Sequence, residues 1–216
     1  MTSFDLTVDA VLFDIDGTLA DSTGSVERSW ARLGRAHGLD VERLLSVTHG
    51  RRARDTIEEF FPADQVDDAA AELFAYETGD VEGITALPGA LRILEGLPDD
   101  RWAAVTSGGR ELMGIRLAAA GLPVPDVFIA AEDVTVGKPD PQGYRMAAER
   151  LGLDPARCLV VEDAPAGVGA GRNAGATVLA VATSHDPDRL TDAHHVVADL
   201  SNVTMEPGPD GIRVRG

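Results

Sequence analysis

Short apolar runs that stop abruptly at polar residues constrain the fold of this chain more than any other feature. A run of four or so apolar residues, uninterrupted by polar ones, is typical of a strand buried on both faces of a parallel sheet. Stretches with helical character separate most of these runs. The alternation predicts an α/β fold with a doubly wound parallel sheet. The runs occupy residues 10–13, 102–105, 127–130, 158–161 and 178–181, and the helices are predicted near 89–96, 111–120, 141–151 and 166–174.

The alternation is interrupted by a stretch that has helical periodicity alone. Between about residues 21 and 83, apolar side chains recur at spacings of three and four, which places them on one face of a helix. We therefore predict a core of residues 1–20 and 84–216 with an all-helical insert at 21–83. The tail contains turn-forming residues at 207–211 and is predicted to be a weak terminal hairpin or a frayed end. The two apolar stripes are Val26, Trp30, Leu33 and His37, then Val66, Ala69, Leu73 and Tyr76.

Composition excludes several classes of protein. Of the 216 residues, 44% are hydrophobic and 25% are charged, as expected for a globular chain that buries a core. The net charge of −17 argues against nucleic acid or an anionic membrane as a partner, because both require a basic surface. A single cysteine, Cys158, excludes an internal disulfide framework. With no membrane-length apolar run and no secretory leader, we expect a cytoplasmic protein, and no obligate protein partner is evident.

Polar residues follow four of the predicted strands and should meet at one edge of the sheet. Ligands bind at the carboxyl ends of the strands in open α/β sheets. Each group also has a simpler interpretation as a strand-end turn, a helix cap or a solvated lysine. A calcium loop is excluded for 14–18, because the required glutamate is absent at its twelfth position, Ser25. The four groups are 14–18 (DIDGT), 106–109 (TSGG), 137–139 (GKP) and 162–163 (ED).

Taken together, these groups predict a site for a metal ion and a phosphate. Carboxylates gathered at one edge repel each other unless a cation is present, and oxygen ligands favour Mg²⁺. The loop 106–109 leads into a helix, so its free N–H groups and hydroxyls can hold an anion. Lys138 is a candidate counter-charge for a phosphate.

In combination, the four groups resemble the motifs of the haloacid dehalogenase superfamily of phosphotransferases, in the same order along the chain. The resemblance extends from about residue 10 to residue 197, and the insert resembles the helical cap of the branch that includes β-phosphoglucomutase, phosphoglycolate phosphatase and small sugar phosphatases. It implies a Rossmann-like core with an inserted helical cap. The matching segments are FDIDGTL at 13–19, VTSG at 105–108, GKPDP at 137–141 and VEDAPAG at 161–167.

The resemblance also implies catalytic roles for particular residues. Asp14 would be the nucleophile that forms an aspartyl-phosphate, and Asp16 would be the general acid and then the general base. Lys138 would neutralise charge on Asp14 and on the phosphoryl group. Thr106 and the N–H group of Ser107, with Gly108 in the same loop, would hold the phosphoryl oxygens.

The implied metal ligands come from the first and the last motif. Mg²⁺ would be held by Asp14, by the backbone carbonyl of Asp16 and by Asp163. Glu162 would be a further ligand, either directly or through water. A metal is also expected on charge grounds, since a phosphate dianion must approach an anionic nucleophile among other carboxylates.

A donor-rich segment of the insert, 48–56 (THGRRARDT), is the predicted reader of the substrate. It is either a solvated basic turn or a specificity loop with His49, Gly50 and Arg52 in contact with substrate. In β-phosphoglucomutases the corresponding loop has a lysine and an arginine where this chain has His49 and Ala53, which argues against a mutase. The loop is more similar to that of fungal-type glycerol-1-phosphatases and 2-deoxyglucose-6-phosphatases.

These observations predict an Mg²⁺-dependent hydrolase of a small phosphate monoester, such as a sugar or polyol phosphate. A β-phosphoglucomutase-like isomerase and a phosphoglycolate phosphatase are the alternatives. A non-catalytic protein on the same scaffold is disfavoured because Asp14, Asp16, Lys138 and Asp163 are all present. The expected partner is a small phosphorylated metabolite.

Overall fold

The computed structural model describes residues 3–48 and 51–216, and these ranges contain eleven strands and eight α-helices. In these ranges no helix combines the length and the apolar character needed to cross a membrane. The strands are β1 Asp5–Val8, β2 Ala10–Phe13, β3 Ala20–Asp21, β4 Thr85–Ala86, β5 Trp102–Val105, β6 Phe128–Ile129, β7 Cys158–Glu162, β8 Thr177–Val181, β9 His195–Val197, β10 Thr204–Gly208 and β11 Gly211–Arg215. The helices are α1 Thr23–Ala36, α2 Val41–Leu45, α3 Ala53–Phe60, α4 Val66–Gly79, α5 Ala90–Gly96, α6 Arg110–Ala119, α7 Gln142–Arg150 and α8 Pro165–Ala174.

A six-stranded parallel sheet forms the centre of the protein, in the order β6-β5-β2-β7-β8-β9. The five apolar runs of the sequence form β2, β5, β6, β7 and β8, and β9 extends the sheet at one edge. The prediction of a doubly wound parallel sheet is therefore confirmed. Strand β2 pairs with β5 on one side and with β7 on the other, so the chain reverses its winding direction next to β2. Such a reversal opens a crevice at the carboxyl ends of the strands.

Hydrophobic cores cover both faces of this sheet. Along β2, Val11 and Phe13 face one core together with helices α5 and α6, whereas Ala10 and Leu12 face the other with α7 and α8. Because successive side chains of a strand point to opposite faces, uninterrupted apolar runs are needed when both faces are buried. This packing fixes the strand ends that carry the polar motifs.

Helices α1 to α4 form a separate helical cap, as the periodicity predicts. Its core contains Trp30 and Leu33 from α1, and Val66 and Leu73 from α4. His37, at the end of the first stripe, is bonded to Glu72 at the rim, with Nε2 2.8 Å from Oε2. The antiparallel pair β3–β4 joins the two chain segments that connect this cap to the sheet. The exact boundaries of the insert, residues 21 and 83, remain a prediction.

The chain ends in a well-formed hairpin, so of the two interpretations of the tail the frayed end is wrong. Strand β11 pairs with β10 and also with β1, which makes a three-stranded antiparallel sheet. Ile212 and Val214 are buried in the core that also contains residues of α5 and α6, and that burial holds the hairpin against the sheet.

Candidate active site

The polar motifs meet at the carboxyl edge of the parallel sheet, where residues from three of them line a cavity of about 490 Å³. Asp14 follows β2, Thr106 follows β5, and Asp163 follows β7, and all three are buried. Parallel register brings these strand ends side by side, since Phe13 lies opposite both Ala104 and Val161. The other wall of the cavity belongs to the cap and includes Val26, Trp30, Arg52, Leu73 and Phe74.

A nearly fully buried lysine binds the first and last motifs together. The Lys138 ammonium group donates to Asp14 Oδ1 at 2.5 Å, to Glu162 Oε1 at 2.6 Å and to the Val105 carbonyl at 3.1 Å. Its three protons therefore all have acceptors. Burial alone would lower the pKa of Lys138, but Asp14 and Glu162 outweigh burial and raise it. This lysine is a permanent positive charge beside Asp14.

Three carboxylates form a buried cluster that carries more negative charge than the Lys138 ammonium group can neutralise. Asp14, Glu162 and Asp163 each offer an oxygen, and these oxygens lie within 4.8 Å of one another. Burial raises the pKa of Asp14 well above its usual range; Lys138 opposes this shift, and the charges of Glu162 and Asp163 add to it. Burial, followed by the charge of Glu162, raises the pKa of Asp163 to about 8. A bound cation would relieve this repulsion.

Glu162 is held on all sides by hydrogen-bond donors. Its Oε1 accepts from Lys138 and, at 2.7 Å, from the Tyr144 hydroxyl. Its Oε2 accepts from the backbone N–H groups of Asp163 and Ala164, at 3.1 and 3.4 Å. A carboxylate has about four lone-pair positions, so a direct bond from Glu162 to a metal would displace one of these donors. In this arrangement Glu162 positions Lys138.

Two glycines allow the acidic residues to approach so closely. Gly17 has φ +81°, and a Cβ atom at this position would overlap the Asp163 carboxylate. A Cβ atom on Gly167 would overlap the carboxylate of Glu162. Ser184 completes this part of the site by donating its hydroxyl hydrogen to Asp163 Oδ2. The glycines of the DGT and APAG segments are therefore part of the site's geometry.

Asp16 lies on the cavity wall with both carboxylate oxygens occupied. Oδ1 accepts a hydrogen bond from the Ser22 hydroxyl at 2.6 Å, and Oδ2 accepts from Arg116 Nη1 at 2.5 Å. Its side chain does not belong to the cluster of Asp14, Glu162 and Asp163 within the described part of the chain. The two motif aspartates thus have different hydrogen-bond partners.

The loop after β5 has the geometry of an anion-binding turn. Thr106, Ser107 and Gly108 all line the cavity and precede helix α6. The Thr106 hydroxyl accepts a hydrogen bond from the Gly108 N–H at 3.0 Å, which leaves its own hydrogen to donate elsewhere. Helix N-termini favour negative charge, so this loop can hold a phosphoryl group beside Asp14.

Part of the predicted substrate-reading loop is located at the cavity. Arg52 lines the cavity wall, where its guanidinium is paired with Asp55 and reaches the Thr135 carbonyl of the core at 3.4 Å. Two other predicted contacts, His49 and Gly50, lie outside the described residues. The role of all three in substrate binding stays a prediction.

Sequence reasoning missed Tyr144 and Arg116, although each left a signal. Tyr144 is a fully buried tyrosine, and a buried phenol requires a hydrogen-bond partner. Arg116 lies on the buried face of α6 beside Met113 and Leu117. A charged residue on an apolar helix face requires a counter-charge, but the partner cannot be named from the helix alone.

The chain is similar to a known protein family and to several phosphatases. The haloacid dehalogenase-like hydrolase family model matches residues 8–175. Hexitol phosphatase A of Escherichia coli (strain K12) is 44% identical over 208 residues, which cover 93% of this chain and 95% of that protein. The 2-deoxyglucose-6-phosphate phosphatase 2 of Saccharomyces cerevisiae is 34% identical, covering 92% of this chain and 90% of its own.

A solved structure supports the same assignment. A hydrolase from Pseudomonas syringae superposes with a TM-score of 0.80 and 27% identity, over 90% of this chain and 95% of that one. The family resemblance inferred from the four motifs is confirmed. The chain belongs to the haloacid dehalogenase-like hydrolase family, as a phosphatase of that family.

Proposed function

We propose that the protein hydrolyses a small phosphate monoester of a sugar or polyol, through an aspartyl-phosphate on Asp14 and with Mg²⁺ as cofactor. The observation that carries this proposal is the buried contact of Asp14 with Lys138, beside the anion-binding loop at Thr106. The substrate class is supported by the relatives, which are named as phosphatases of hexitols and of 2-deoxyglucose 6-phosphate.

The residues at the strand ends fit a divalent cation with oxygen ligands. Asp14 and Asp163 have oxygens close enough to share an ion, and burial, with the charge of Glu162 adding to it, raises the pKa of each. We propose that these carboxylates and the Asp16 carbonyl hold Mg²⁺, with Glu162 acting through water. The ion would supply positive charge that lets a phosphate dianion approach the carboxylates.

In the first proposed step, an oxygen of Asp14 forms a bond to phosphorus while the bond from phosphorus to the ester oxygen breaks. Asp16 gives its proton to the departing alkoxide. Thr106 and the Ser107 N–H donate hydrogen bonds to the phosphoryl oxygens, and Lys138 balances the charge on Asp14. Phosphoryl transfer needs mainly such positioning and neutralisation.

In the second step, water attacks phosphorus and gives a proton to Asp16. The bond between phosphorus and Asp14 breaks, so inorganic phosphate leaves and the Asp14 carboxylate is regenerated. Asp16 is protonated again for the next turnover, which closes the cycle. The same residue can serve both steps because it borders the cavity beside the nucleophile.

The cap sets the size and character of the leaving group. Its wall of the cavity combines the apolar side chains of Trp30, Leu73 and Phe74 with charged ones, among them Arg52. A cavity of about 490 Å³ between cap and core suits a small metabolite. We propose residues 21–83 as the cap domain, with His49, Gly50 and Arg52 as contacts to the substrate hydroxyls.

Phosphate release from a panel of hexitol, hexose, 2-deoxyhexose, glycerol and glycolate phosphates tests the proposal. We expect release that requires Mg²⁺, is abolished by EDTA and is lost in Asp14→Asn. Asp5→Asn is the matched control, because Asp5 is paired with Arg213 in the β1–β11 sheet, away from the cavity. Activity that survives EDTA or the Asp14 change would contradict the mechanism. Isomer formation from β-glucose 1-phosphate without net phosphate release would favour the mutase.

A further inference from the structure

Two buried charged side chains, Arg116 and Glu77, link the cap to the half-buried Asp16. Arg116 Nη1 lies 2.5 Å from Asp16 Oδ2, and its Nη2 lies 2.9 Å from Glu77 Oε1. The Arg116 side chain is only 4% exposed and that of Glu77 only 7%. All three residues line the cavity. None of the four sequence motifs contains Arg116 or Glu77.

The three residues belong to different parts of the fold. Asp16 is in the loop after β2, Arg116 is in core helix α6, and Glu77 is near the end of cap helix α4. Helix α6 holds Arg116 in place, because the side chains of Met113 and Leu117 on the same helix pack in the core that also contains Phe13. Arg116 therefore touches the predicted acid/base with one nitrogen and the cap with another.

The energetics indicate that this arginine is not there for stability alone. Burying a guanidinium is costly, and apolar side chains in its place often stabilise a protein as much or more. Burial disfavours the charged form of Arg116. The negative charges of Asp16 and Glu77 outweigh this effect, so the pKa of Arg116 is raised. The planar guanidinium can hold both carboxylates in fixed directions, which a lysine ammonium on the same backbone cannot match.

We propose that Arg116 is a positioning residue for Asp16, and that Glu77 of the cap holds Arg116 in the orientation that does so. The inference rests on the proposed function, in which the Asp16 proton passes to the leaving alkoxide as the ester bond breaks. With Ser22 on Oδ1 and Arg116 on Oδ2, the carboxylate has one fixed orientation. Since Glu77 reaches Arg116 from α4, this orientation depends on contact between cap and core.

Dependence on the leaving group separates this role from a merely structural one. An alkyl phosphate needs a proton on its leaving oxygen, whereas p-nitrophenyl phosphate releases a stable phenolate without one. The ratio kcat/KM covers the steps up to departure of the leaving group, so it excludes the later hydrolysis of the aspartyl-phosphate. The test compares kcat/KM for the best alkyl phosphate of the panel and for p-nitrophenyl phosphate.

The variants are Arg116→Lys, Glu77→Gln and Asp16→Asn. We expect Arg116→Lys to lower kcat/KM for the alkyl phosphate by about 10²-fold, the lower end of general acid–base effects, and for p-nitrophenyl phosphate by less than about threefold. Glu77→Gln should show the same selectivity with a smaller loss. Asp16→Asn removes the proposed acid itself. Its loss of kcat/KM for the alkyl phosphate, relative to p-nitrophenyl phosphate, is therefore the largest that loss of positioning could cause. Arg28→Lys is the matched control, since Arg28 binds Asp80 and Glu82 of the cap and does not border the cavity.

Circular dichroism and thermal unfolding establish whether each variant is folded. If Arg116→Lys does not fold, the comparison of the two substrates is made with Glu77→Gln. Equal losses on both substrates would overturn the inference, because Arg116 would then only shape the cavity. Unchanged activity on both would overturn it as well. Failure of the proposed function would look different: the wild-type protein would hydrolyse neither ester, or Asp16→Asn would lose both equally.

Discussion

Replacing Asp163 by asparagine is expected to stabilise the protein at pH 8 when divalent cations are removed with EDTA. The carboxylate lies buried beside Glu162 and Asp14 and accepts a hydrogen bond from Ser184. A neutral amide of nearly the same shape removes one of the repelling charges. The same change should weaken the response of the protein to Mg²⁺, because Asp163 is a proposed ligand.

The size and sign of the effect follow from the pKa of Asp163, about 8 in the folded protein against a reference of 3.8. Between these pH values the unfolded chain has lost the proton and the folded protein keeps it. Each pH unit therefore lowers the free energy of unfolding, by about 1.4 kcal/mol. The full gap sets a ceiling of roughly 6 kcal/mol. Because real sites relax and admit water, we expect a gain of about 2 kcal/mol at pH 8.

Urea unfolding at pH 5 and pH 8 in EDTA measures this effect. The free energy of unfolding of Asp163→Asn relative to the wild-type protein should increase from pH 5 to pH 8. Added Mg²⁺ should stabilise the wild-type protein more than the variant. Asp5→Asn should show no such gain, because hydrogen bonding to Arg213 holds the pKa of Asp5 below its usual value. Identical pH responses of wild type and Asp163→Asn would refute the reasoning.

Three further substitutions test other contacts of the site. Tyr144→Phe should lower the free energy of unfolding by about 1.5–3 kcal/mol, the contribution of a hydrogen bond to a charged group. A change below about 0.5 kcal/mol in urea unfolding would show that the hydroxyl does not hold Glu162. Gly167→Ala should destabilise the protein by about 1–3 kcal/mol, because the added methyl group overlaps Glu162, and an undiminished thermal midpoint would contradict this. Lys138→Met should reduce phosphate release by about 10²-fold or more even where thermal unfolding shows a folded protein; near-normal turnover would remove Lys138 from the mechanism.

Local sequence patterns were sufficient for most of the parallel sheet and for the position of the site. Apolar runs record burial on both faces, so they identified five strands of the parallel sheet and the edge to which their polar ends belong. The periodicity of three and four located the helical cap. Asp14 and Asp163 could be placed near each other without any knowledge of side chains, because parallel strands end at a common edge.

The short pairings escaped the sequence because they are not periodic. Strands β3 and β4 have two residues each and join segments more than sixty positions apart. Strand β1 is held by β11 at the opposite end of the chain. A two-residue strand such as β3 or β4 carries too few residues for an alternation to be recognised, so only its partner defines it.

The partners of the charged groups were decided by tertiary structure. Aspartate, lysine and glutamate in the motifs predict that a charged site exists, but the bonds of Glu162 to Lys138 and Tyr144 join distant segments. Arg116 contacts Asp16, which is one hundred positions away along the chain, and Glu77, which is thirty-nine positions away. A helix face specifies that an arginine is buried, whereas the counter-charge depends on how the cap packs against the core. Burial patterns are local and can be read along the chain; electrostatic partners depend on distances through space, which only the folded protein sets.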